Sequence, residues 1–156
     1  MDKSTAQGTV EAIYIASLAG QLPVTTVSAE AVAGRGLRGD RYFNEEGTWS
    51  QWPGGGREVT LIAAEVVETL AVNIRISAAE ARRNVLVRDV DLNALVGREF
   101  RVGDVVFRGQ RLCEPCAHLE SLTLPGILAG LQGVGGLRAD IVVGGSIHTG
   151  DLVSPL

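Results

Sequence analysis

The chain is poor in the residues that carry nucleophilic or soft-metal chemistry. It has two cysteines, two histidines, one methionine and a single lysine in 156 residues. Two cysteines make no disulfide framework. Lys3 stands in a polar leader, so no internal pyridoxal phosphate, which needs a buried lysine, is expected. The formal net charge is −4. Such a balance offers no global basic field, and no nucleic acid partner is expected. No apolar run approaches the roughly 20 residues that span a bilayer, so no membrane is expected. The stretch Ala12–Ala19 has the look of a signal h-region. It follows Asp2 and Glu11 with Lys3 as the only cation, and reads better as a first β-strand. The paired thiols suggest a reducing compartment, and the expected location is cytoplasmic.

Glycine and arginine are what the chain has in quantity. Its length suits one domain, taken as 1–156, and its 46% apolar and 21% charged content is that of a globular protein. Twenty glycines separate short, β-branched apolar runs. That is the texture of many strands joined by tight turns, as in a barrel or sandwich. Strands are expected at Thr9–Ala16, Val24–Val32, Glu58–Ile62, Asn84–Arg88, Glu99–Val102, Val105–Gly109, Ala139–Val143 and Gly150–Val153. Gly97, Gly103, Gly109 and Gly145 punctuate them where positive φ would be needed. Helices are expected over Ala63–Val72, from a capping box at Ser77 to near Arg83, and after Pro125. The irregular stretch Gly34–Arg57 is long for an idle loop. All but one of the fourteen basic residues are arginine. Its planar fork suits bidentate capture of phosphate or carboxylate, although a GC-rich genome produces the same excess.

Both cysteines fall in one turn, Cys113-Glu114-Pro115-Cys116, with His118 close behind. A thioredoxin-like redox pair is one use of such a turn, but the βαβ setting it needs is not evident. Zinc held by Cys113, Cys116, His118 and His148 is another. A single activated thiolate, carrying sulfur or ligating a soft metal, is a third. Two buried structural thiols are the inert alternative. In Gly34–Tyr42 three arginines stand among three glycines, where amides and guanidinium groups can converge on an anion. Arg82-Arg83-Asn84 leads into a strand, and Asn84 offers donor and acceptor together. The runs Gly133–Ala139 and Gly144–Asp151 read as tight turns, the first presenting Arg138.

Together these landmarks resemble the MOSC domain, the module named for the C-terminus of molybdenum cofactor sulfurase. The resemblance spans about residues 8–151. It rests on the order of Gly36-Leu37-Arg38-Gly39-Asp40-Arg41, Arg82-Arg83-Asn84, Asp91–Gly97, Gly103-Asp104, Cys113–Cys116, Gly135–Arg138 and Gly150-Asp151. It implies a mostly β fold, a MOSC-type barrel with a few short peripheral α-helices. It also implies that Cys116 is the functional thiol, as molybdenum ligand or persulfide carrier, with Cys113 supporting it. Arg38, Asp40, Arg41, Arg82, Asn84 and Arg138 are then the expected cofactor-binding residues. The implied cofactor is the molybdenum cofactor (molybdopterin), and the implied partner a sulfur donor or electron-transfer protein. The chain is similar to the short bacterial members; a structural zinc or interaction barrel and a small dithiol oxidoreductase are the competing functions.

Overall fold

Alternation of apolar and polar residues decides most of the strands. The computed structural model describes residues 8–16, 22–40, 43, 56, 58–74, 83–112 and 136–156. In chain order the strands are β1 (Gly8–Ile15), β2 (Val24–Thr26), β3 (Ser28–Val32), β4 (Gly36–Leu37), β5 (Val59–Ala63), β6 (Val85–Arg88), β7 (Glu99–Val102), β8 (Val105–Leu112), β9 (Leu137–Val143), β10 (Gly145–His148) and β11 (Leu152–Pro155). One helix, α1 (Ala64–Ile74), follows β5, and a 3-10 turn occupies Leu92–Leu95. In β7, Phe100 and Val102 point inward while Glu99 and Arg101 face solvent. In β9, Leu137, Ala139 and Ile141 are buried and Arg138 and Asp140 lie on the opposite face.

Seven strands close a barrel in the order β1, β11, β7, β8, β9, β5, β6, with β6 returning to β1. Closure removes the unpaired edges that an open sheet would present. Among the described residues the seam is short: Gly8 with Val153 and Thr9 with Leu152 pair β1 to β11. β2 adds to β1 outside the ring, and β10, β3 and β4 form a separate three-stranded sheet. That sheet sends Ala29, Ala31, Leu37 and Ile147 into the same apolar cluster as the barrel strands. Phe100 and Phe107, fully buried and paired across β7 and β8, meet edge to face at 5.7 Å. Burial of this kind is worth about 3–5 kcal/mol per phenylalanine on truncation to alanine.

β5 and β6 break the alternation. Val59, Thr60, Leu61 and Ile62 are all buried, as are Val85, Leu86 and Val87. These two strands run parallel. A parallel pair needs a crossover, and α1 supplies part of it while packing on both strands, so both faces are covered. Arg88, at the end of β6, fastens the unit by pairing with Glu11 on β1 and Glu68 on α1.

The barrel and the mostly β class were legible in the sequence; several details were not. The expected strand Val24–Val32 is two strands in different sheets, divided at Val27. Gly145–His148 is not a turn but β10, because β3 supplies its ladder. Positive φ is found at Gly97, Gly103 and Gly145 but not at Gly109. Gly109 is needed for room instead: a Cβ there would lie 2.1 Å from the Leu95 carbonyl oxygen. The helices expected after Ser77 and Pro125 fall outside the described residues, except that Arg83 itself is not helical.

Candidate functional site

Strand register gathers a row of polar residues on the outer face of the barrel. Ile13, Val85, Leu61, Leu137 and Leu112 occupy one inward row across five strands. One step along, the outward row runs Tyr14, Asn84, Thr60, Arg138, Arg111. Neighbouring strands are spaced about 4.8 Å apart, so Asn84 and Arg138 flank Thr60 at roughly 10 Å from each other. The sequence places these two residues 54 positions apart, and only the long-range pairing of β5 with β6 and β9 unites them.

Asn84 is 3% exposed and heavily bonded. Its Oδ1 accepts the Thr60 N–H at 3.1 Å and the Thr60 hydroxyl at 3.2 Å, and its Nδ2 donates to the Tyr14 carbonyl at 3.1 Å. Its own N–H reaches Thr60 Oγ1 at 3.1 Å. The side chain thus ties β1, β5 and the start of β6 together, and both lone pairs of its oxygen are used.

The arginine end of the row is different. Between Gly109 and Arg111 the β8–β9 ladder slips, with Gln110 the extra residue. Such a bulge reverses which face the following side chains take. It brings Arg111 opposite Arg138 while Leu112 returns opposite the buried Leu137. Directly opposed like charges are unfavourable across a ladder. Among the described residues neither guanidinium has a carboxylate partner. Gly56 lies over them: a Cβ there would come 3.1 Å from Arg138 Cβ and 3.6 Å from Arg111 Nε. β8 ends at Leu112, the residue before Cys113.

Beside this row stand two acids. Asp140 Oδ1 accepts the Gly56 N–H at 2.8 Å. Glu58 Oε1 accepts N–H bonds from Gly34 at 3.1 Å and Ile141 at 3.0 Å. Burial raises the Glu58 carboxyl above its ordinary value, and the neighbouring Asp140 adds to the rise against the two amide bonds. The acids therefore link the β3–β4 turn, β5, β9 and the glycine run that ends at Gly56.

The other expected residues are distributed as follows. Asp40 is fully buried, and its Oδ1 accepts the Ala16 N–H at 3.0 Å just past β1. Arg38 is more than half exposed, pairs with Glu30 at 2.7 Å and lies 5.1 Å from the Phe43 ring. Arg35 lies over the same ring at 4.3 Å and donates to the Phe43 carbonyl at 3.0 Å. His148 sits on β10, 3.7 Å from Asp151. The expectations for Cys113, Cys116, His118, Arg41 and Arg82 lie outside the described residues. Thr60 and Arg111 were not singled out from the sequence, nor was Arg83, which is buried next to Asn84. Thr60 and Arg111 sit on strands as ordinary outward polar residues, and only register gives them their neighbours.

The closed barrel with one parallel crossover defines a class of mostly β modules, and solved structures share it. The YuaD protein from Bacillus subtilis superposes with a TM-score of 0.78 at 17% identity, covering 95% of this chain and 94% of that one. YiiM from Geobacillus stearothermophilus gives 0.71 at 11% identity, over 96% of this chain and 75% of that one. YiiM from Escherichia coli gives 0.67 at 15% identity, over 97% and 70%. A family model described as the MOSC domain matches residues 51–154, and the chain belongs to that family. No curated protein sequence matches it. No helix among the described residues is long and apolar enough to cross a membrane.

Proposed function

We propose that the outward row binds a phosphate-bearing cofactor of the molybdenum–pterin class beside the Cys113–Cys116 turn. The observation that carries this reading is the Arg111–Arg138 pair. Arg111 and Arg138 stand opposite each other across a ladder, and among the described residues neither guanidinium has a carboxylate partner. An anion relieves that repulsion and gains bidentate, charge-assisted bonds. The donor set fits a phosphate, and Gly56 leaves room where any side chain would crowd Arg138. Arg41 and Arg82 are further cations for the same anion. Asn84 and Asp40 act by fixing β1 and β6, since the Asn84 oxygen is already satisfied and Asp40 holds the Ala16 amide.

Cys116 is assigned the soft-metal or sulfur-carrying role. Bound nearby, such a cofactor supplies oxygen-, sulfur- and electron-transfer chemistry at its metal. As a carrier, the Cys116 thiolate attacks the terminal sulfur of a donor's persulfide. The donor leaves as a thiolate and Cys116 keeps the transferred sulfur. A sulfur donor or electron-transfer protein is the corresponding partner.

The test is purification from cells that make the cofactor, followed by assay of bound molybdenum, pterin and cyanide-releasable sulfur. Wild type is expected to carry pterin with molybdenum, or releasable sulfur, and Cys116→Ala to lose metal and sulfur. Equal background in both proteins overturns the reading.

A further inference from the structure

A cavity of about 670 Å³ lies between the start of β1, the residues after β6 and the end of β11. This cavity shares no residue with the polar row, although its wall residue Leu95 lies against Gly109, two residues before Arg111 on β8. Its size falls in the range of about 300–1,000 Å³ usual for small-molecule pockets.

Its walls have two characters. Val90, Leu95 and Val153 give apolar surface, the last two fully within the core. Asp89, Asp91 and Arg98 give charge, and all three are exposed. Among the described residues none of their side chains makes an ion pair or hydrogen bond, although Arg38, Arg88 and Arg108 all pair with glutamates. Asp91 stands before the 3-10 turn without capping it. Asp89 adopts φ of 62°, the one positive value outside glycine among the described residues. Its N–H is held in that conformation by Glu65 Oε2 at 2.8 Å.

We infer that this cavity is a second binding site, for a small organic cation with an apolar body. Two carboxylates against one guanidinium leave the lining net negative, so it favours cations over anions. The apolar walls favour an organic ammonium over a hydrated metal ion, because they reward removal of carbon surface from water. Neither carboxylate gives up an internal partner when the ligand arrives. The left-handed backbone at Asp89 places two carboxylates, two residues apart, on the rim of one apolar cavity.

The experiment is amide-detected NMR titration of the isotope-labelled chain with phenethylammonium, and with phenylacetate as the anion of matching body. Saturable shifts at the amides of Val90, Leu95 and Val153 with the cation, and none there with the anion, are expected. Asp89→Asn and Asp91→Asn should each weaken the cation about tenfold or more, the loss of one charge-assisted bond. Asparagine tolerates positive φ, so Asp89→Asn keeps the backbone. An unchanged spectrum away from the cavity verifies that both variants remain folded. Absent saturation, equal response to cation and anion, or undiminished affinity in both variants overturns the site. The outcome is independent of the molybdenum and sulfur assays, since no residue is shared.

Discussion

Asn84 and Thr60 bond to each other from both ends: the Asn84 N–H meets Thr60 Oγ1 at 3.1 Å, while the Thr60 hydroxyl and N–H return to Asn84 Oδ1 at 3.2 and 3.1 Å. A fourth bond carries the pair to the Tyr14 carbonyl. Replacing Asn84 by alanine strands two buried donors on Thr60 and an acceptor on Tyr14. The expected cost is about 2–4 kcal/mol, from unsatisfied groups worth about 1–3 kcal/mol each with partial relaxation. Urea unfolding of Asn84→Ala against wild type measures it. A shift below about 0.5 kcal/mol would mean that the network contributes little.

The Arg111–Arg138 pair predicts a split between binding and stability. Arg138→Ala removes one of two repelling charges and should leave the unfolding midpoint unchanged or slightly raised. The same variant should lower bound pterin by about tenfold, the loss of charge-assisted hydrogen bonds to phosphate. Arg138→Lys should restore only part, because a point charge cannot bind in bidentate fashion. Thermal unfolding alongside pterin content of the purified proteins checks both halves.

Glu58 predicts a pH slope. Its carboxyl is raised above the ordinary value of 4.5, so the folded state holds the proton more tightly than the unfolded chain. The resulting stabilisation is complete below the ordinary value. It is lost as pH climbs through the raised one. Glu58→Gln keeps an oxygen for the Gly34 and Ile141 amides and offers Asp140 a permanent donor. The variant should gain on wild type as pH rises from 4 to 7, read from urea midpoints at each pH. A difference that stays flat across that interval refutes the assignment.

Two glycines separate crowding from backbone strain. Gly109 has an ordinary strand φ, yet its Cβ would overlap the Leu95 carbonyl. Gly34 has φ of 79° with nothing near its missing Cβ. Gly109→Ala should cost about 3 kcal/mol or more, as overpacking does. Gly34→Ala should cost about 1 kcal/mol, the strain of a left-handed alanine. Paired thermal melts of the two variants decide it.

Most strands were legible because half-buried strands alternate: Glu99–Val102 is read correctly to the residue. The parallel pair was harder. Val85-Leu86-Val87 is apolar throughout, and a continuous run does not say whether its neighbour is parallel. β4 and β10 were hidden because glycines open both, and their ladders come from β3, up to 120 residues away in the chain. At the site, Asn84 and Arg138 were visible through motif order. Thr60 and Arg111 were not. The bulge at Gln110 turns Arg111 toward Arg138, and nothing local in Arg108-Gly109-Gln110-Arg111 announces it.

Among the described residues the barrel closes by joining β1 to β11 through two residue pairs. A ribosome delivers Gly8 long before Val153, so a nascent chain carries β1 with that flank bare throughout most of synthesis. The ring is completed only once Leu152 and Val153 have emerged, by a contact of long sequence separation, and contacts of that kind are slow to form.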